Sequence, residues 1–317
     1  MEPRPLPPSE RRRRAVLRVS AASLGFGLGL AALSLLWPRA DRTLQPAALA
    51  SAADLAKAPT RAVTVLVIGV DAEHAGDASN GAAPAGPANS DALLLLRVRP
   101  AGAVQVLPLP IEAAVQLPGQ QRPQPLGSLY RQGGVALVAD AVRELTGLPP
   151  GQPDRYVVLG RSDLRTLIEA MGRIDVSPIQ AMRYSDRSQK LRIDLQAGLQ
   201  RLDGIQVEHM LRFRDAATGE DSRRQQHLQL LRSLLRELAQ PARLPLLAPL
   251  ARQLLSGVGT NLSEGEVLSL LAAGLSHGSE LEVTSLPLLP AGPGAGRQGL
   301  RQLAPLQGPL AGWADNP

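Results

Sequence analysis

The chain has 317 residues, and 44% are hydrophobic but only 2% aromatic, so a sizeable core is available and must be built from Leu, Val, Ile and Ala. It holds no cysteine, which excludes a disulfide framework, a thiolate metal site and a thiol nucleophile. The net charge of +6 is not a nucleic-acid signal: residues 1–18 carry six arginines against Glu2 and Glu10, so +4 belongs to the N-terminal arm and only +2 is left for everything after it.

Residues 1–18 read as a basic, Pro-rich arm. Val19 to Trp37 contains no charge and is followed by Pro38, which is long enough to cross a bilayer as a helix. The arginines before it place the N-terminus in the cytoplasm by the positive-inside rule. A cleaved signal peptide is the rival reading, since 48-ALASA-52 has small-residue cleavage character. The apolar run is long for a signal sequence and ends well before that site, so an uncleaved single-pass anchor in the cytoplasmic membrane is the better reading. Gly25 and Gly29 form a GxxxG pair within it. Residues 38–60, Ala-rich, read as a tether, 61–290 as the body, and 291–317 as a Gly/Pro-rich tail.

Within the body, 62-AVTVLVIGV-70 is a buried strand by its β-branched run. A Gly-, Ala-, Pro- and Asn-rich loop over 72–88 follows, then strands 92–100 and 103–110 joined as a hairpin at Pro100–Gly102. Residues 128–147 read as a helix ending near Gly147, with Pro149 and Pro150 beyond it. A strand at 156–160 leads into a helix at 163–172 whose Leu164, Leu167, Ile168 and Met171 mark one face. A short strand at 173–177 and an extended piece at 191–195 come next. Helices are expected at about 203–212, 222–239, 244–256 and 263–273, and a last strand at 280–286. Such alternation predicts an α/β fold, a central sheet covered by helices on both faces, preceded by one N-terminal transmembrane helix.

Two features carry chemistry. In 209-HMLRFRDAATGEDSRRQQHL-228, Arg212 and Arg214 stand just ahead of Asp221, Arg223, Arg224 and two glutamines at the head of a long apolar-periodic helix. Planar guanidinium forks at a helix start suit a phosphate or pyrophosphate. A solvated, Arg-rich helix start is the alternative, and it has weight because only Lys57 and Lys190 among the basic residues are lysine. The second feature is Asp71 and Asp91, one at each end of the 72–90 loop and each at a strand edge, where paired oxygens would suit Mg²⁺; two turn-capping aspartates are the plainer reading. Two further matches lead nowhere. Gly274 to Gly278 fits GxSxG, but a helix precedes it, for which Gly274 is placed as the C-terminal cap. Gly294 to Gly299 fits GxGxxG outside any βαβ unit. The histidines at 74, 209, 227 and 277 have no metal-ligand spacing.

The ordered set of pieces resembles the LytR-CpsA-Psr family of membrane-anchored cell-envelope enzymes over roughly residues 62–240. The pieces are 66-LVIGVD-71, 89-NSDALLLLRVRP-100, 107-LPLPIEAAVQLPG-119, 130-YRQGG-134, 156-YVVLGRSDLRTLIEAMGRIDV-176 and 194-DLQAGLQRLDGIQVEHMLRFR-214, closing with Arg224-Gln225-Gln226. The resemblance implies a phosphotransferase facing outward from the membrane, moving a glycopolymer from a polyprenyl-pyrophosphate carrier to an acceptor hydroxyl, commonly on peptidoglycan. It implies that Asp71 and Asp91 are the Mg²⁺-associated aspartates. Arg212, Arg214, Arg223, Arg224 and Gln225 would form the pyrophosphate-binding set, with Asp91, Arg212 and Arg214 catalytic. The chain departs from the family pattern where Pro110-Ile111-Glu112 replaces Pro-Arg-Asp, where Pro125-Leu126-Gly127 replaces Lys-x-Asn, at Ala92, and in a segment from Arg214 to Arg224 about two residues short. A relative that binds polyprenyl pyrophosphate without turnover is the competing expectation.

Overall fold

The structure is a computed structural model that describes residues 51–77, 86–187, 191–215, 219–278, 280–289, 299–304 and 313. The expected membrane anchor at 19–37 and the GxGxxG match lie wholly or mostly outside these residues. Among the described residues, no helix is long and apolar enough to cross a membrane.

The centre is a six-stranded mixed sheet in the order β11-β6-β1-β2-β3-β12. Strands β1 (Val63–Val70), β2 (Ser90–Val98) and β3 (Val104–Pro108) form an antiparallel meander. Strand β6 (Arg155–Leu159) joins β1 in parallel, β11 (Gly259–Thr260) closes that edge, and β12 (Leu281–Val283) runs parallel to β3 at the other. Small two-stranded ribbons lie outside it: β4 (Ala114–Val115) with β5 (Gln124–Pro125), β7 (Ile174–Val176) with β10 (Gln200–Leu202), and β8 (Met182–Asp186) with β9 (Leu191–Leu195).

Strand periodicity sorts the sheet residues onto two faces. Leu66, Ile68, Leu93, Leu95 and Leu107 pack against Leu129, Val138 and Val142 of helix α1 (Leu129–Thr146). Each such fully buried side chain contributes about 1.5–3 kcal/mol. Helix α1 bends at Gly133 and Gly134 and stops at Gly147, whose φ of 67° only glycine adopts freely. The opposite face, through Leu94, Leu96, Val104 and Val106, meets helices α4 (Glu220–Leu238) and α6 (Glu264–Leu275). A second helical layer, α2 (Arg161–Ala170), α3 (Gly204–Arg212) and α5 (Leu247–Gly257), shares a core with α4 and the β7–β10 ribbons. Helices therefore cover both faces, as the alternating pattern predicts.

Three details depart from expectation. Residues 51–58, at the end of the stretch read as a tether, lie on the domain: Ala52 is buried against its core, and Ser269 donates to the Lys57 carbonyl at 2.7 Å. In the tail, Trp313 is buried beside α1's core and Arg301 bridges to Ala113, so apolar residues there return to the fold. Gly274 does not cap α6, which runs on to Leu275 with Ser276 as its cap. A Cβ at position 274 would come within 3.2 Å of Val104, so the glycine serves close helix–sheet packing, while Gly278 takes the left-handed turn.

Gly160 sets how closely α2 approaches the loop after β1. It caps α2, and a side chain there would strike the Glu73 carbonyl and the His74 backbone at under 3.0 Å. The same contact lets Arg161 and Ser162 donate their N–H groups to the Ala72 and Glu73 carbonyls at 3.0 and 2.9 Å. Gly160→Ala is expected to destabilise the domain by about 1–3 kcal/mol through overpacking, read as a lower urea midpoint at unchanged slope.

Candidate active site

The site grows from the ends of β1 and β2. Their register pairs Gly69 with Ala92 and Val70 with Ser90, so Asp91 opposes no residue and forms a bulge. In an unbroken ladder, alternation would send residue 91 to the α1 face; a bulge re-aims a side chain. Asp91 instead lines a cavity of about 550 Å³ between the other sheet face and helices α2, α3 and α4. Asp71, immediately after β1, lines the same cavity. It is held across the loop, its N–H donating to the Asn89 carbonyl at 3.1 Å and its carboxylate accepting from Asn89 N–H at 2.9 Å.

The cavity is charged at one end and apolar through the rest. Down α4, Arg223, His227, Leu230, Leu231 and Leu234 line it in turn, a run of about 16 Å at 1.5 Å per residue. Helix α2 repeats the gradient with Arg161, then Leu164 and Leu167. The β8–β9 ribbon adds Tyr184 and Leu191. Of the face that Leu164, Leu167, Ile168 and Met171 mark, Ile168 and Met171 are buried, while the two leucines line the cavity.

Arg212 ends α3 and Arg214 lies just beyond it, and both reach the cavity. Arg212 pairs with Glu208 at 3.3 Å and Arg214 with Glu220 at 3.5 Å. Arg223 is 3% exposed; it donates to the Asp91 carbonyl at 3.1 Å, sits 3.5 Å from its carboxylate and pairs with Glu220 at 3.2 Å. Arg224 turns away. It pairs with Glu112 at 2.6 Å and with Asp221, beside a small cleft that Ile111 also lines. Gln225 is exposed and off the cavity, whereas Gln226 is buried. The structure thus gathers Asp71, Asp91, Arg212, Arg214 and Arg223 in one place and leaves Arg224 and Gln225 outside it. Of the shortened segment before Arg223, residues 216–218 lie outside the described residues.

Three lining groups escape a reading of the sequence: Arg161, Glu208 and His227. Arg161 follows the strand parallel to β1 and so begins at the same sheet edge as Asp71, a pairing that residue order does not reveal. His227 stands between the two cavities; burial, then Arg223 and Arg224, push its pKa down to about 3, so it is neutral. His209 does not line the cavity; its pKa is lowered by burial and then by Arg212 against an opposing Glu208. Arg165 links Glu208 to Glu73, and although burial opposes its charge, those two carboxylates hold its pKa above the ordinary value.

The LytR_cpsA_psr family profile matches residues 41–295. The chain is a member of the LytR_cpsA_psr family. A curated relative, the probable cell wall biosynthesis protein LcpB of Corynebacterium glutamicum, is 26% identical over 262 residues, covering 76% of this chain. The LytR_cpsA_psr chain described here spans only 59% of that relative's length. Among solved structures, Bacillus subtilis TagV shares the fold with a TM-score of 0.62 at 20% identity, covering 78% of this chain and 92% of its own. TagT bound to LI-WTA does so with a TM-score of 0.56 at 20% identity, covering 77% and 85%.

The acids of this LytR_cpsA_psr site suit a small divalent cation. Two carboxylates on one cavity wall, among arginines able to hold phosphate, are the donor set Mg²⁺ takes when it keeps waters and substrate oxygens as its other ligands. Among the described residues no group of three or more His, Cys, Asp or Glu is placed to hold a metal ion by itself.

Proposed function

We propose that this protein acts in cell-wall biosynthesis as a phosphotransferase, moving a glycopolymer from a polyprenyl-pyrophosphate carrier to a hydroxyl on peptidoglycan or another envelope acceptor. The observation that carries the proposal is the head-to-tail polarity of the cavity. A pyrophosphate fits its Arg-lined end, and an isoprenoid fits the Leu-lined depth, where each buried methylene adds about 0.8 kcal/mol. The acceptor oxygen attacks the glycan-bearing phosphorus, and the bond to the bridging oxygen breaks, releasing polyprenyl phosphate. Arg212, Arg214 and Arg223 stabilise the charge that develops on the phosphoryl and leaving oxygens. Asp91 accepts the proton of the attacking hydroxyl. Asp71 and Asp91 would hold Mg²⁺, which when bound neutralises pyrophosphate charge. Residues 19–37 anchor the chain in the cytoplasmic membrane with this domain on the outer side, and nucleic acid has no part in the activity.

The test is transfer by the full chain in detergent, given a short polyprenyl-pyrophosphate glycan, an acceptor and Mg²⁺. Arg212→Ala is expected to lower turnover by about 10²–10³-fold, as loss of one charge-stabilising donor does, and Asp91→Ala to abolish it. One observation favours a second reading, a relative that binds the lipid pyrophosphate without turnover: Ile111 stands where the family carries arginine, and Arg224 is engaged with Glu112 and Asp221. Tight lipid binding with no product would establish that reading. Neither binding nor product would sink both.

A further inference from the structure

Arg161 lies outside the set of arginines that the family resemblance assigns. It lines the cavity beside Asp71, its side chain is 18% exposed, and its buried Nε has no hydrogen-bond partner among the described residues. The backbone at the start of α2 cannot hold an anion in its place, because the N–H groups of Gly160, Arg161 and Ser162 go to Asp163, Ala72 and Glu73. The guanidinium is therefore the group this helix presents to the cavity.

Arg161 is also tied to the neighbouring helix α3. It pairs with Glu73 at 3.3 Å, Glu73 pairs with Arg165 at 2.5 Å, Arg165 pairs with Glu208, and Glu208 pairs with Arg212 at 3.3 Å. The string runs Arg161–Glu73–Arg165–Glu208–Arg212, with a cavity-lining cation at each end and one more positive charge than negative. Glu73 is solvent-exposed while Glu208 is buried, so the string orders Arg212 and Arg165 more firmly than Arg161, and together these pairs leave less ordering to binding. Close packing sets the string: Gly160 lets the Glu73 backbone approach α2, and Gly204 lets α3 approach Arg165, since a Cβ there would lie 2.8 Å from the Arg165 carbonyl.

We propose that Arg161 is a further substrate-contacting residue, a guanidinium on α2 that binds the second phosphate of a lipid pyrophosphate in the cavity it lines with Arg212 and Arg223. It supplies on α2 a cation that the chain lacks at Ile111. This rests on the lipid-pyrophosphate reading of the cavity, and the test separates the two. Binding of geranylgeranyl pyrophosphate and geranylgeranyl monophosphate to the full chain in detergent is measured by titration calorimetry for wild type, Arg161→Ala, Arg161→Lys and Arg212→Ala. Circular dichroism melting confirms that each variant folds.

Wild type should prefer the pyrophosphate. Arg161→Ala should weaken it by about 10- to 100-fold, the value of a charge-assisted contact, and change monophosphate binding far less, so the preference collapses. Arg161→Lys should restore part of it, because charge is kept and the two-pronged fork is lost. If Arg161→Ala binds both lipids as wild type does while Arg212→Ala fails, the role of Arg161 is overturned and the site stands. Equal weakening of both lipids by Arg161→Ala would reduce Arg161 to a structural prop and also overturn it. Wild type binding neither lipid would overturn the reading and the proposal together.

Discussion

Acidification from pH 7.5 to 4.5 should cost the wild-type domain about 3 kcal/mol more than it costs a His227→Leu variant. The native imidazole resists protonation until about pH 3, whereas in the unfolded chain it takes up a proton near 6.5. Between those values the unfolded state binds the extra proton, so stability falls as pH drops, by about 1.4 kcal/mol per pH unit, and nothing is lost above 6.5. Two carboxylates bend the curve in the same direction, at lower pH. Burial pushes Asp154 up, but bonds from Thr64 N–H and hydroxyl and from Arg61 hold it below its ordinary value. Glu266 is pulled down to about 2, chiefly by Arg155. Their contributions are complete above the unfolded carboxylate pKa values and are lost mainly below about pH 4. Urea denaturation of both proteins at the two pH values isolates the imidazole. Equal acid sensitivity in the variant would show that His227 is not held neutral. Against a total stability of typically 5–15 kcal/mol, an effect of this size is large.

Arg223→Met should destabilise the domain by about 3–5 kcal/mol and remove pyrophosphate-lipid binding. The cost comes less from the lost attraction than from the groups left without it: Glu220, whose side chain is 14% exposed, loses its close partner, and the Asp91 carbonyl loses a donor. The double variant Arg223→Met, Glu220→Gln should recover a good part of the stability, since replacing both members of an inward pair is gentler than breaking it. It should recover none of the binding. Stability that falls as far in the double variant as in the single one would mean that Arg214 suffices as a partner for Glu220, and that Arg223 acts mainly through Asp91.

Much of the fold and of the site is legible from residue order. The β-branched run at 62–70 and the apolar run after Asp91 locate two central strands, and Gly147 ends α1 where the pattern says it should. The acids at the sheet edge and the arginines 212, 214 and 223 meet in one cavity. The features that residue order hides have physical causes. Helical phase decides which of two adjacent arginines faces inward, and residue order does not fix that phase, so Arg223 and Arg224 cannot be told apart by sequence. Gln225 and Gln226 are confounded for the same reason. The strand at 182–186 escapes notice because three of its residues are solvent-exposed, which blurs its apolar alternation. The role of Arg161 depends on a parallel pairing between strands some ninety residues apart, which no local pattern carries.

The bulge at Asp91 has a mutational consequence. Deleting that one codon would leave Ser90 and Ala92 as direct neighbours opposite Val70 and Gly69, an unbroken ladder in the middle of the sheet. The shortened chain would gain a more regular central strand and lose both the carboxylate that the irregularity turns toward the cavity and the carbonyl that Arg223 engages, so this one extra residue ties the regularity of the sheet to the make-up of the site.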